Sequence, residues 1–221
     1  MKKIKLIAII GKAGSGKNTM LSHLTNVPKL FNPQSDIKEV VELHKQLAKG
    51  LEERFHFITP FTTRPQRPGE VDGVDYYFYE ERTVKELIKQ GKVIQYNIFN
   101  NWYYGFFEDD IFTNKVNIGI FTPMVLFKLN ADYGRLLDIT TIYIMAPDKD
   151  RLLRQLNREK EPDVKEIIRR YFTDDVDFHE NIIKQLPNLI RVNNPNIKND
   201  NELFKPIDEF LHAINAVVNS D

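Results

Sequence analysis

The chain contains no cysteine, which excludes disulfide bonds, thiolate nucleophiles and zinc–thiolate sites. It also lacks an excess of charge, because 31 Lys and Arg residues balance 31 Asp and Glu residues. That balance argues against duplex nucleic acid as a partner, since such binding usually needs a net basic face. No stretch approaches the ~18 apolar residues of a membrane helix, and the apolar run from Leu6 to Ile10 is too short for a secretory leader. These absences predict a cytoplasmic protein without a membrane or nucleic-acid partner.

The chain has 221 residues, of which 42% are hydrophobic, so one domain with a substantial core is expected. Apolar runs predict buried strands at residues 5–10, 116–121, 139–145 and 189–192. Amphipathic spacing predicts helices at residues 17–24, 82–90, 148–158, 164–172 and 201–218. Strands that alternate with helices are typical of an α/β fold with a parallel sheet flanked by helices.

The aromatic middle of the chain, residues 55–106, predicts a small lobe of mixed strands beside that sheet. Residues 59–73 are rich in Pro, Thr and Arg and are predicted to be mostly loop. The core then comprises residues 1–54 and 107–221. Within it, the segment 26–54 is interpreted as a surface insertion, with a second lid or an oligomer contact as alternatives.

A glycine-rich turn follows the first predicted strand and precedes the first predicted helix. Residues 11–17 read Gly-Lys-Ala-Gly-Ser-Gly-Lys and fit the pattern G-x-x-x-x-G-K of a P-loop. The glycines let backbone N–H groups converge on phosphate oxygens, the helix start adds a favourable dipole, and Lys17 supplies charge. The predicted ATP-binding residues here are Gly11, Ala13, Gly14, Ser15, Gly16, Lys17, Asn18 and Thr19.

Magnesium would accompany ATP at such a loop. The residue after the P-loop lysine is usually Ser or Thr, which binds Mg²⁺, but here it is Asn18, followed by Thr19. Asn18, Thr19 or water can complete the magnesium shell, because Mg²⁺ commonly keeps several waters. Asn18 and Thr19 are therefore the candidate metal ligands.

A second motif begins at Thr62 and runs to Phe78, with sequence TTRPQRPGEVDGVDYYF. Arg64 and Arg67 lie on its proline-braced segment, and guanidinium groups bind phosphate oxygens in a bidentate way. This motif resembles the monophosphate-binding motif of guanylate kinases. The similarity continues through residues 89–95 and through Asn101 to Gly105, and it weakens beyond.

The resemblance implies an ATP-dependent nucleoside monophosphate kinase with a P-loop core, a monophosphate-binding lobe (residues 55–106) and a helical lid (residues 148–172). It implies that Arg64 and a set of lid arginines act with Lys17 in catalysis; these arginines are Arg154, Arg158 and Arg170. It implies that Asn193 contacts the adenine of ATP. The implied monophosphate-binding residues are Arg64, Arg67, Tyr76, Gln95, Tyr104 and Thr122. As partners we expect ATP and the monophosphate, and a monomer or homodimer.

The chain departs from the family pattern where the base should bind. Gln95 replaces a glutamate that accepts hydrogen bonds from guanine, Phe106 replaces a small hydroxyl residue, and Pro60 replaces a serine. Residues 120–123 replace an acidic strand end. An ionised Glu only accepts, whereas Gln both accepts and donates. GMP or dGMP is the first expectation, and another base remains an alternative.

Two other functions stay open. A guanylate-kinase-like module that binds proteins without catalysis would be expected to have a degraded P-loop, but Gly11, Gly16 and Lys17 are all present. A P-loop kinase for a non-nucleotide acceptor is disfavoured by the arginine-bearing motif. The five histidines show no metal-binding spacing, and the acidic run Asp174, Asp175 and Asp177 is interpreted as a solvated loop or helix end.

Overall fold

The computed structural model describes residues 2–25, 42, 46, 47, 49, 51–67, 69–111, 114–158, 160–196 and 205–220. Five parallel strands form its main sheet, in the order β2-β7-β1-β8-β9. Their bounds are β1 Ile4–Ile10, β2 Phe55–Phe57, β7 Val116–Ile120, β8 Leu137–Met145 and β9 Leu189–Asn193. The predicted α/β fold with a parallel sheet is confirmed.

The central strand β1 is buried on both faces. Ile7 and Ile9 pack on one side with Leu24 and the C-terminal helix, while the alternate residues of β1 pack on the other side. A strand covered on both faces needs a continuous apolar run rather than alternation, and this requirement explains the sequence LIAII.

Helices cover the two faces of the main sheet, and one further helix, Glu81–Lys89, packs against the strand Trp102–Phe107 of a second sheet. Their bounds are α1 Lys17–Thr25, α2 Leu51–Arg54, α3 Glu81–Lys89, α4 Pro123–Tyr133, α5 Asp148–Leu156, α6 Val164–Asp177, α7 Glu180–Ile183 and α8 Lys205–Asn219. Asp163 begins α6 by accepting a hydrogen bond from the backbone N–H of Glu166 at 3.1 Å, an N-cap that fixes where this helix starts. A 3₁₀ turn spans Glu108–Asp110.

A second sheet of four strands has the order β4-β3-β6-β5 and mixes parallel and antiparallel pairs. Its strands are β3 Phe61–Thr62, β4 Tyr77–Phe78, β5 Val93–Phe99 and β6 Trp102–Phe107. The chain enters this sheet directly from the carboxyl end of β2. The mixed-strand character expected for the middle of the chain is confirmed, whereas the domain boundaries stay predictions.

The structure contains elements that the sequence analysis did not predict. Residues 59–73 are mostly loop, as predicted, but Phe61 and Thr62 within them form the strand β3 between β4 and β6. The helix α4 is absent from the prediction, although Pro123 at its first turn, after the N-cap Thr122, is a favourable start. Most of segment 26–54, for which three interpretations were given, lies outside the described residues. The predicted helix start at residue 201 also lies outside them.

In the part of the chain that the structure describes, no helix is both long and apolar enough to cross a bilayer.

Candidate active site

Parallel strands present their carboxyl ends at one edge of the main sheet, and the P-loop leaves β1 at this edge. Gly14 and Gly16 adopt positive φ angles of 76° and 95°, which favour glycine. A Cβ on Gly14 would lie 2.5 Å from the carbonyl oxygen of Arg151, so this close approach also requires glycine. The loop then enters α1 at Lys17, as a phosphate cradle requires.

The ammonium group of Lys17 is bound to the loop itself. Its Nζ donates to the carbonyl oxygens of Gly11 at 2.6 Å and Lys12 at 3.1 Å. Lys17 is half-buried as a whole residue, and its ammonium end is the part that the fold encloses. This burial lowers the pKa of Lys17 from 10.5 to about 8, although the charge of Asp174 opposes the shift. An enclosed cation of this kind gains from an anionic ligand, as a P-loop lysine does from phosphate.

Asp174 and Asp175 lie on α6 and contact the P-loop. The Oδ2 atom of Asp174 accepts a hydrogen bond from the backbone N–H of Ala13 at 2.5 Å, and Asp175 pairs with Lys12 at 2.5 Å. Burial raises the pKa of Asp174, against the opposing effects of the Ala13 N–H and of Lys17. Both residues lie in the last turn of α6, as the helix-end interpretation expects, but Asp174 is not solvated, because its side chain is only 17% exposed and binds the P-loop.

Two arginines of α5 flank the P-loop in different ways. Arg154 donates to the carbonyl oxygens of Gly14 at 3.3 Å and Ser15 at 3.4 Å, and to that of Asn194 at 2.9 Å. Arg154 therefore stabilises the P-loop through hydrogen bonds to the backbone carbonyl groups of the loop. Arg151 is buried, with 1% of its surface exposed, and the sequence did not single it out.

The remaining predicted donor-site residues have different surroundings. Arg170 pairs with Glu166 at 2.7 Å, and the side chain of Arg158 is exposed just beyond α5. Asn193 ends β9, but it is the next residue, Asn194, whose Nδ2 donates to the carbonyl oxygen of Ser15 at 2.8 Å. Asn18 and Thr19 are exposed in the first turn of α1.

A second cluster of polar and aromatic groups lies in the small sheet, and we call it the acceptor cluster: Arg64, Glu70, Tyr76 and Tyr104. Arg64 makes two parallel hydrogen bonds to Glu70, from Nη1 at 2.9 Å and Nη2 at 2.8 Å. Its Cζ lies 5.3 Å from the centre of the Tyr76 ring, and the Tyr76 and Tyr104 ring centres are 6.2 Å apart.

The acceptor cluster combines a buried, paired cation with hydroxyl donors. Arg64 is only 5% exposed, and its hydrogen bonds hold the pKa of Glu70 below its usual range. Burial raises the pKa of Tyr76, so its hydroxyl stays a proton donor. Arg67 reaches the cluster through its backbone N–H, which donates to Glu70 at 2.8 Å, while its side chain is exposed.

Gln95 lies on β5 with 9% of its surface exposed. Its Nε2 donates to the carbonyl oxygen of Tyr96 at 3.2 Å. Its Oε1 is buried without a hydrogen-bond partner among the described residues. A buried acceptor without a partner is costly, so Oε1 is available for a donor on a ligand.

Two other predicted base-site positions differ in burial. Thr122 is exposed at the carboxyl end of β7, where it is the N-cap of α4. Phe106 is buried, and its ring centre lies 4.7 Å from that of Phe121 in the core. Phe106 therefore packs against the main sheet, which explains why a large apolar residue is accommodated there.

The helix α6 also contacts the small sheet. The guanidinium carbon of Arg169 lies 4.6 Å from the centre of the Phe99 ring, at the end of β5. Arg169 is itself held by Glu166 at 2.7 Å. Through this cation–π contact, the helix that carries Asp174 is joined to the sheet that carries the acceptor cluster.

Comparison with known proteins finds similarity to guanylate kinases, both in a family model and in individual sequences. A family model described as Guanylate kinase matches residues 37–115. A guanylate kinase of Streptococcus pneumoniae (strain ATCC BAA-255 / R6) is 31% identical over 117 residues, which is 52% of this chain and 55% of that protein. One of Streptococcus pyogenes serotype M3 (strain ATCC BAA-595 / MGAS315) is 34% identical over 100 residues, 45% of this chain and 36% of that protein.

The fold has a solved counterpart. The crystal structure of guanylate kinase from Anaplasma phagocytophilum aligns with a TM-score of 0.54 at 16% identity, and the alignment covers 99% of this chain and 86% of that one. The chain spans about half of the length of the pneumococcal relative, and the family match includes the acceptor cluster and Gln95.

Proposed function

We propose that the chain is a member of the guanylate kinase family, which it resembles in sequence over residues 37–115, and that it transfers the γ-phosphoryl group of ATP to a (deoxy)nucleoside 5′-monophosphate. The expected products are ADP and the nucleoside diphosphate, and GMP or dGMP is the preferred acceptor. The observation that supports this proposal is that one fold holds a P-loop with an enclosed lysine ammonium group and, in the second sheet, a buried arginine beside two tyrosines.

The two sites have separate roles in the proposed reaction. Phosphoryl transfer needs little covalent chemistry from the protein, so positioning and charge neutralisation supply most of the rate. Lys17 and the P-loop amides hold the donor phosphates. Arg64, Tyr76 and Tyr104 orient the acceptor phosphate, because two hydroxyls can donate to its oxygens while the Arg64 guanidinium, held by Glu70, supplies positive charge beside them.

Magnesium belongs to this proposal as the ion that accompanies ATP. Asn18 and Thr19 fit it in chemistry, since amide and hydroxyl oxygens are suitable ligands, and in position, since both are exposed beside Lys17 in the first turn of α1. When bound, the ion neutralises charge on the donor phosphates. These residues have no further role in the proposal.

The test is an ADP-release assay with ATP and Mg²⁺ in which each ribo- and deoxynucleoside monophosphate is offered in turn. We expect activity with GMP or dGMP above all other acceptors. Activity on another base would keep the reaction and overturn the guanine preference. A folded protein without activity on any monophosphate would overturn the proposal and favour a non-catalytic binding module.

Gln95 provides a prediction about the base. With Nε2 bound to Tyr96, the free Oε1 can accept one hydrogen bond, for example from N1–H of guanine. Glu at this position loses the bond to the Tyr96 carbonyl, and once turned away from that carbonyl its two oxygens can accept from both N1–H and N2–H₂. We therefore expect Gln95→Glu to raise kcat/KM for GMP by roughly 10-fold, the effect of about one further hydrogen bond, without improving UMP or dTMP.

Gln185→Glu is the matched control, since it adds the same charge at an exposed position on the turn after α7. This control variant should leave kcat/KM unchanged for every monophosphate acceptor. Equal gains for purine and pyrimidine acceptors in Gln95→Glu would contradict a role for Gln95 in reading the base.

A further inference from the structure

A buried arginine lies between the P-loop and the helix α6. Arg151 begins the second turn of α5, with 1% of its surface exposed, and its backbone packs against Gly14. Its guanidinium carbon lies 5.0 Å from the centre of the Tyr171 ring. Arg151 is thus fixed beside the phosphate cradle by the loop on one side and α6 on the other.

The nitrogens of Arg151 have few acceptors. Nη1 lies 3.2 Å from Oδ1 of Asp148 and Nη2 lies 4.0 Å from Oδ2 of Asp174, both as ion pairs. Yet Nε, Nη1 and Nη2 all lack a hydrogen-bond partner among the described residues. A buried guanidinium without hydrogen bonds is costly, because its N–H groups have lost water and gained nothing equivalent.

The carboxylate of Asp174 lies where positive groups converge. It accepts from the Ala13 N–H at 2.5 Å, it is 4.0 Å from Arg151, and the charges of Lys17 and Lys12 also stabilise its ionised form. Backbone amides of a P-loop together with cations form a site for phosphate oxygens. A carboxylate from α6 takes up part of that site.

We propose that Arg151 binds a phosphate oxygen of the donor nucleotide, and that Asp174 occupies the place of that oxygen until ATP enters. The proposal rests on the proposed function, because ATP is taken to bind the P-loop. Phosphate supplies the acceptors that Arg151 lacks, and it replaces the carboxylate at the Ala13 N–H. Arg151 is then a further catalytic residue, and Asp174 competes with the substrate.

Three variants test this, each measured by calorimetric titration with Mg-ATP and by steady-state kinetics. Arg151→Lys keeps a positive charge but loses the bidentate fork, so ATP should bind roughly 10- to 100-fold more weakly. Asp174→Asn removes the competing charge, so ATP should bind several-fold more tightly. Both variants should leave KM for the monophosphate unchanged, because the acceptor cluster lies in the other sheet.

Matched controls separate binding from folding. Arg82→Lys on the exposed face of α3 and Asp177→Asn at the end of α6 make the same chemical changes away from the P-loop, and both should bind ATP as the parent does. The third variant, Arg151→Lys combined with Asp174→Asn, should show non-additive ATP affinities, since the two side chains share one site. A purely structural role of Arg151 would alter the melting temperature and both substrates alike.

The outcomes distinguish this inference from the proposed function. A parent protein that binds ATP, together with an Arg151→Lys variant of equal ATP affinity and turnover, would overturn the inference alone. ATP affinity that falls in Asp174→Asn would also overturn it. A parent protein that binds ATP but phosphorylates no monophosphate would overturn the proposed function, and the effects on ATP binding would still decide the inference. A parent that binds no ATP would overturn both.

Discussion

Lys17→Met is expected to lower the turnover number for phosphoryl transfer by at least about 100-fold, the effect of removing one group that stabilises the transition state electrostatically. The same variant should be more stable than the parent at neutral pH in the absence of ligand. The reason is that the enclosed ammonium group is held at a free-energy cost, which phosphate would offset and methionine removes. Activity and stability therefore change in opposite directions at this position.

The pH dependence of unfolding identifies this cost. The pKa of Lys17 is about 8 in the folded protein, against an ordinary value of 10.5. Between these pH values the unfolded chain binds the proton and the folded chain has released it, so the free energy of unfolding rises with pH. The difference amounts to roughly 3 kcal/mol at most, and the two lost hydrogen bonds to Gly11 and Lys12 reduce the gain in the variant.

Chemical denaturation of parent and variant from pH 7 to about 9.5, a range that spans the folded pKa of Lys17, provides the measurement. Tyrosines interfere little in this range, because burial raises the pKa of several of them, including Tyr76 and Tyr143, above the ordinary value of 10.0. The stability advantage of Lys17→Met should be largest at neutral pH and shrink as the pH rises past the folded pKa of about 8. A variant that is less stable than the parent at neutral pH, with a parallel pH profile, would contradict an enclosed, costly ammonium group.

Arg64→Ala is expected to have the second large effect, on both catalysis and folding. In catalysis, kcat/KM for the monophosphate should fall by at least about 100-fold, while Kd for ATP should stay unchanged. The loss in the free energy of unfolding is about 3–5 kcal/mol, because removal of Arg64 leaves the carboxylate of Glu70 without its charge partner. Glu70 has 19% of its side chain exposed, so solvent only partly compensates.

The double variant Arg64→Ala with Glu70→Gln separates the two effects. The neutral amide that Glu70→Gln introduces needs no cation, so the double variant should recover much of the stability, while the activity stays low. Thermal unfolding and initial rates against the monophosphate concentration measure these quantities. Recovered activity in the double variant would show that Arg64 acts through Glu70 rather than on the substrate.

Local patterns accounted for the main sheet and the P-loop. The apolar run before Gly11 predicts a strand buried on both faces, and the glycine spacing predicts the turn that follows. The strand β3 has only two residues, too few for any periodicity, and its pairing depends on β4 and β6, which lie more distant in the chain. Pro123 is a usable sign of where α4 begins, since proline is favoured in the first turn of a helix.

The parts of the site that were missed are those made by distant residues. Asp174 is 161 positions from Ala13, and nothing in its local sequence indicates which side of α6 faces the loop. Arg151 resembles any charged residue of an amphipathic helix, since burial of its guanidinium depends on Tyr171 and Gly14. Asn193 was predicted from the sequence, whereas Asn194 is the residue that contacts the P-loop. This difference of one residue depends on where β9 ends.

The contact between Arg169 and Phe99 has a consequence for the movement of α6 relative to the small sheet. A cation–π contact near solvent contributes only about 0.5–1 kcal/mol, little more than thermal energy, so it forms and breaks often. Yet it connects the helix over the P-loop to the sheet that carries the acceptor cluster. Because this contact costs so little to break, α6 and the small sheet can separate and rejoin without disturbing the packing of either sheet.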